Sequence, residues 1–279
     1  MPNQSERVET VVRKFCEDVP VHINALVELL REQAELKDGF EETGQELANE
    51  LHRLSGAASS LGFRKLGKVL DQLQSDALEW KTRLDAGDYS GLPELENKLR
   101  SAHMIASKVG VRNSRLLDRL RAMEALEASN PVGAKDDTIG HKFLDRETVL
   151  FVDDDPYVLG VMSDILRDLG VGKLLQANSG TEALSLLQTV SPTILITDWQ
   201  MEPVSGMDLL KKVRSAQTPL AAETPVIMFT ARKMEHDVIQ AHRNGATMFL
   251  SKPIMPDRLK EALLSVVEKK FLLRASRAS

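Results

Sequence analysis

Three consecutive aspartates, Asp153, Asp154 and Asp155, follow the apolar run Val149-Leu150-Phe151-Val152, and Asp198 follows Ile194-Leu195-Ile196-Thr197. Further along, Thr230 closes Val226-Ile227-Met228-Phe229, and Lys252 comes after Met248-Phe249-Leu250. Crowded carboxylates repel one another and are hard oxygen donors. A divalent cation that keeps several waters, Mg2+, is the natural way to offset their charge. With Asp198 as nucleophile, the cation and the Lys252 ammonium can neutralise the oxygens of a transferring group, and the Thr230 hydroxyl can donate to one of them. The chemistry that fits this set is phosphoryl transfer to a carboxylate.

These side chains meet only if the apolar runs are strands of one sheet. The expected strands are Val149–Val152, Leu174–Ala177, Ile194–Thr197, Val226–Phe229 and Met248–Leu250, with helices beginning near Pro156, Gly180, Ser205, Lys233 and Pro256. Five strand–helix units in regular order predict an open parallel sheet covered on both faces. Such a sheet carries its chemistry at the carboxyl ends of its strands, where these residues fall. Asp155 before Pro156 reads as a helix cap.

The stretches Val149-Leu-Phe-Val-Asp-Asp-Asp-Pro156, Ile194-Leu-Ile-Thr-Asp198-Trp-Gln-Met, Val226-Ile-Met-Phe-Thr230-Ala and Phe249-Leu-Ser-Lys252-Pro253 resemble the receiver domain of bacterial response regulators, over about Thr148 to Lys269. The resemblance implies a flavodoxin-like fold with Asp198 as phosphoacceptor, and Asp153, Asp154 and the Gln200 backbone carbonyl around Mg2+. It further implies a switch in which the Thr230 hydroxyl moves toward the phosphoryl group and the Phe249 ring follows inward. Phe249 lacks the phenol hydroxyl of the tyrosine in many relatives. Glu202 stands where many carry the proline of a Met-Pro pair, with Pro203 one place later.

Residues from about Ser5 to Ser129 have a different texture, helical throughout. Val8, Val11, Val12 and Phe15 suggest a first helix, and Val19 to Leu36 a second. A third carries Leu47, Leu51, Leu54, Ala58 and Leu61 on one stripe, and a fourth carries Leu66, Val69, Leu70, Leu73 and Ala77. After the turn Asp85-Ala86-Gly87-Asp88, Pro93 opens another helical stretch; short connections favour an antiparallel bundle. Of the six histidines, His22, His103, His141, His236 and His242 have no organised company in the sequence. His52 lies at the edge of the apolar stripe, with Ser55, Gly56 and Ser59 on its side of the helix to clear room for a partner, and Arg53, Arg64, Lys65 and Lys68 nearby. That pattern alone suits a solvated surface histidine equally well. The run His52-Arg-Leu-Ser-Gly-Ala-Ala-Ser-Ser-Leu-Gly62-Phe63, however, is similar to histidine-containing phosphotransfer domains, roughly from Ser5 to Gly110. The resemblance implies His52 as phosphoacceptor. Ser55 stands where many members have lysine, so less positive charge faces the phosphorylated form.

The resulting layout is an all-α bundle over 1–110, a connecting helix and linker over 111–146, and the α/β domain over 147–279. Leu116, Leu120, Met123 and Leu126 mark the connecting helix, and Val111 to Ala128 could pack on either domain or pair two chains. Linker chemistry lies in Ser129-Asn130-Pro131-Val132-Gly133 and Asp136-Asp137-Thr138-Ile139-Gly140. At 279 residues, both domains can build cores from the 42% hydrophobic residues. The net charge of -5, with both signs interspersed, gives no reason to expect nucleic acid or an anionic membrane as partner. One cysteine, Cys16, excludes an internal disulfide and a multi-cysteine metal site, and no secretory leader or spanning run is visible, so a cytoplasmic protein is expected. The expected function is a phosphorelay adaptor working through His52 and Asp198, between a sensor histidine kinase or hybrid-kinase receiver and a downstream response regulator. No nucleotide-binding motif is present, so the chain should not phosphorylate itself from ATP. The rivals are a binding regulator whose bundle docks a sensor kinase without transfer at His52, and, more weakly, a transcription factor.

Overall fold

A computed structural model describes residues 3–36, 40–85, 88, 90–129, 143–230, 235–252 and 255–277. It divides into a unit of residues 9–118 and a unit of residues 119–279 together with the first eight. The helices α1 (Gln4–Leu36), α2 (Phe40–Ser60), α3 (Arg64–Asp85) and α4 (Leu92–Ala106) come first, then a 3-10 turn (Val111–Asn113) and α5 (Arg115–Ser129). The order continues β1 (Thr148–Val152), α6 (Pro156–Asp168), β2 (Lys173–Ala177), α7 (Gly180–Leu187), β3 (Ile194–Asp198), α8 (Gly206–Arg214), β4 (Val226–Thr230), α9 (Glu235–Arg243), β5 (Met248–Ser251) and α10 (Pro256–Arg277). Among the described residues no helix is long and apolar enough to cross a membrane.

The two helices expected before Leu36 are one. Pro20 lies inside α1, where it removes a backbone donor and ordinarily breaks the helix. Continuous packing overrides it, because Phe15, Val19, Ile23 and Val27 are all buried on one stripe, and His103 Nδ1 lies 2.9 Å from the Pro20 carbonyl. Gly62 ends α2 in a left-handed conformation, φ 86°, with Phe63 N–H donating to the Ala58 carbonyl and Gly62 N–H to that of Ser59. A Cβ at Gly62 would meet the Leu116 backbone nitrogen at 2.6 Å, and the Ser114 hydroxyl donates to the Leu61 carbonyl. The start of α5 therefore packs on this turn, with Leu116 and Leu117 buried. Leu120 is buried too, while Leu126 is exposed. The expected linker segments beyond Ser129 and the residues Ala86, Gly87, His141 and Lys233 lie outside the described residues.

In the second unit the five strands are all parallel, in the order β2-β1-β3-β4-β5. Strands β3 and β4 are buried at every residue, as a sheet with helices on both faces requires. Order reverses at β1, so the crevice at the carboxyl ends of β1 and β3 is the switch point of the fold.

Candidate functional site

The register places Val152 of β1 against Thr197 of β3, which sets Asp153 and Asp198 side by side one residue later. Asp198 pairs with Phe229 and Thr230 with Ser251, so Lys252 leaves the edge of β5 at the same level. Lys252 Nζ lies 2.7 Å from Asp153 Oδ2 and 3.1 Å from Asp198 Oδ1, in a pocket where all three side chains are at most 7% exposed. The ammonium also sits 5.0 Å over the Phe229 ring. Thr230 is buried beside it, and its carbonyl accepts from Lys252 N–H at 2.7 Å.

Burial dominates the electrostatics. Desolvation drives the Asp153 carboxyl up to about 6 against the pull of Lys252, and the charge on Asp198 adds to the rise. Asp198 is raised by the same burial, again against Lys252, with the Asp154 charge adding to the rise. Burial opposes the Lys252 charge, but Asp153 and Asp198 together outweigh it and hold the ammonium above its ordinary value. Asp155 serves another purpose, accepting from Tyr157 and Val158 N–H as the cap of α6, with Pro156 at the first helical position.

Among the described residues, no three His, Cys, Asp or Glu side chains converge closely enough to hold a metal ion. Lys252 occupies the space between the two carboxylates that were expected to face one cation. The donor set nevertheless fits Mg2+, which takes one or two carboxylates and completes its shell with carbonyl oxygen and water. Beside Asp198, the side-chain oxygen of Gln200 is buried without a hydrogen-bond partner, an oxygen donor left for a cation or its water.

The loop after Asp198 is held by two glycines. A Cβ on Gly206 would lie 1.9 Å from the Asp198 carbonyl oxygen, and one on Gly180 would lie 2.2 Å from that of Val204. The Glu202–Pro203 peptide within this loop is cis. Phe249 is half-buried and meets Trp199 edge-on at 6.2 Å between ring centres.

In the bundle, His52 is half-buried on α2, with Nδ1 3.2 Å from Gln74 Oε1 on α3. An amide oxygen only accepts, so Nδ1 carries the hydrogen and Nε2 is the basic nitrogen of the ring. The small residues around it divide their work. Ser55 is buried and donates to the Gly67 carbonyl at 3.0 Å, while a Cβ on Gly67 would meet Ser59 Oγ at 2.5 Å. Ser55 and Ser59 therefore let α3 approach rather than clear space for a partner. Gly56 alone of the three faces openness, with nothing within 4 Å of a Cβ built there. Arg53 is engaged by Glu50 at 2.9 and 2.5 Å, whereas Arg64, Lys65 and Lys68 are exposed and in no ion pair among the described residues.

Two contributors escaped the sequence reading. Gln74 had a signal, a polar residue set among the buried positions Leu70, Leu73 and Ala77. His22 has organised company after all, because α1 brings it to Glu50 and Arg53. Cys16 is half-buried and its thiol is pushed up to about 11, chiefly by burial, which disfavours the thiolate.

Comparison with known proteins finds two domains in the chain. The response regulator receiver domain matches residues 149–264, and the Hpt domain matches residues 10–128. The chemotaxis protein CheY of Pseudomonas aeruginosa is 33% identical over 121 residues, 43% of this chain and 96% of that protein. The chain belongs to the response regulator receiver family. Its Hpt domain precedes the receiver, and the pair makes it a two-component phosphorelay protein. CheY1 of Helicobacter pylori strain 26695 is 38% identical over 116 residues, 41% of this chain and 92% of that one. Among solved structures, CheY4 of Vibrio cholerae aligns at 30% identity over 43% of this chain and 98% of its own, with a TM-score of 0.40. The receiver domain of a Pseudomonas aeruginosa sensor histidine kinase, described with a magnesium ion in its active-site cleft, aligns at 20% identity, covering 44% and 98%, with a TM-score of 0.40. Receiver domains typically bind Mg2+ in this site.

Proposed function

We propose that the receiver takes phosphoryl on Asp198 and the Hpt domain carries it on His52, joining a histidine kinase or hybrid-kinase receiver to a downstream response regulator. The observation that carries the Asp198 reading is the buried Lys252 ammonium within ion-pair distance of both Asp153 and Asp198. When Asp198 accepts, one of its oxygens attacks phosphorus, the bond from phosphorus to the donor nitrogen breaks, and the imidazole leaves with the electron pair. Lys252 turns from the carboxylates toward the phosphoryl oxygens, and the Thr230 hydroxyl donates to another. The Thr230 movement opens space that the Phe249 ring enters, sliding along Trp199. Mg2+, held by Asp153, Asp154, Asp198 and the Gln200 backbone carbonyl, would supply further positive charge to the phosphoryl oxygens. At His52, the Gln74 amide fixes the tautomer that leaves Nε2 as nucleophile toward an aspartyl phosphate.

Profiling phosphotransfer from the host's histidine kinases and their receivers tests both acceptors. His52→Gln should abolish label on the Hpt-domain peptide that carries residue 52, and Asp198→Ala should abolish label on the receiver, each by more than about a hundredfold. Unchanged transfer in His52→Gln with kinase binding retained would favour a docking regulator, and label persisting on the receiver of Asp198→Ala would remove the acceptor assignment.

A further inference from the structure

A second histidine of the bundle sits against a carboxylate. His22 of α1 lies with Nδ1 2.8 Å from Glu50 Oε1 and 3.2 Å from Arg53 Nη2, both on α2. Only one of these contacts can be a bond to Nδ1 in a given tautomer, because Arg53 is always a donor and the Glu50 carboxylate always an acceptor. A ring nitrogen without hydrogen would face the anion with its lone pair, so Nδ1–H donates to Glu50 and Arg53 bonds to the same carboxylate, at 2.5 and 2.9 Å. Burial works against the Glu50 charge, but the bonds from Arg53 and His22 more than offset it and hold the carboxylate ionised. The result is a carboxylate-oriented imidazole whose basic nitrogen is Nε2, the arrangement by which a histidine is held for proton or group transfer. The His22 side chain is 39% exposed, so a donor can reach it.

Taking the bundle as the phosphoryl carrier proposed above, the geometry points to His22 as a second phosphoacceptor, flanking α2 on the α1 side while His52 sits on the α3 side. Its Nε2 attacks the phosphorus of an aspartyl phosphate, the N–P bond forms, the acyl O–P bond breaks, and the aspartate leaves as carboxylate. The Nδ1 proton stays in the bond to Glu50, whose charge offsets that of the phosphorylated ring.

The test uses full-length chain carrying Asp198→Ala and potassium phosphoramidate, a small donor that phosphorylates imidazoles without a partner protein. Sites are mapped by mass spectrometry of peptides kept at neutral pH, with exposed His242 as the internal reference. Label should form on His22 and on His52, each at least about tenfold faster than on His242. His52→Gln should leave the His22 label, and Glu50→Gln should slow labelling of His22 about tenfold while leaving His52 unchanged. His52 labelled with His22 no faster than His242, or an unaltered His22 rate in Glu50→Gln, overturns the second acceptor and leaves the relay standing. His22 labelled with His52 inert supports the second acceptor and overturns His52. Neither faster than His242 overturns both. Circular dichroism melts of each variant establish that the bundle is folded when its labelling is read.

Discussion

Asp198 shares a buried pocket with an ammonium and a second carboxylate, whereas His52 rides half-exposed on α2, braced by the Gln74 amide. The difference matches the chemistry proposed for each side chain. A carboxylate is a weak nucleophile toward phosphorus and its acyl phosphate is highly charged, so its surroundings must already hold opposing charge in a water-poor site. An imidazole is nucleophilic by itself once its tautomer is fixed, and one neutral acceptor does that without desolvation. The first site must be assembled from the ends of several strands, while the second needs two neighbouring helices.

The sharpest way to break this contrast is to remove the cation from the first site. Lys252→Met leaves Asp153 and Asp198 facing each other in a buried pocket. It should lower unfolding free energy by about 3–5 kcal/mol at alkaline pH in chelator, with part recovered on adding Mg2+. Gln74→Leu, which removes a neutral hydrogen bond, should cost only about 1 kcal/mol while slowing transfer to His52. Urea melts decide the matter, and a larger loss from Gln74→Leu than from Lys252→Met would reverse the ranking.

A second expectation concerns acid. The ordinary carboxyl value of 3.8 is raised to about 6 for Asp153 in the folded chain. The folded protein therefore keeps a proton that the unfolded chain has already released, and ionising Asp153 costs stability between those two values. Relative to Asp153→Asn, wild-type stability in chelator should fall as pH climbs from about 4 to about 6 and level off above, with Asp198 adding in the same sense. Mg2+ affinity should rise through the same window, since a cation competes with that proton. A flat difference across the window would show that Asp153 is ionised throughout. The smallest effect belongs to Gly56. Gly56→Ala fills open space and should raise bundle stability by about 1 kcal/mol while slowing transfer to His52, if that opening admits the partner.

The receiver was legible because strand ends are a one-dimensional signal. Apolar runs of four or five residues followed by Asp153, Asp198, Thr230 and Lys252 announce both the sheet and what it delivers to its edge. What could not be read there was who pairs with whom. That Lys252 bridges two carboxylates depends on register between β1, β3, β4 and β5, which no single segment contains. In the bundle, periodicity marked the stripes but misjudged α1, because a proline's local penalty is visible in sequence and the burial of Phe15, Val19 and Ile23 around it is not. The same blindness hid Gln74 and the Glu50–His22 pair, each of which joins two helices across many intervening residues.

The glycine at the head of α8 constrains how this receiver can be retuned. With its α-carbon pressed against the carbonyl of Asp198, position 206 admits no side chain, and position 180 closes the same loop from the other side. Side-chain variation beside Asp198 is therefore left to other positions of the loop, such as the exposed Glu202, and under the proposed function a designer seeking a slower or faster acyl-phosphate timer should begin there.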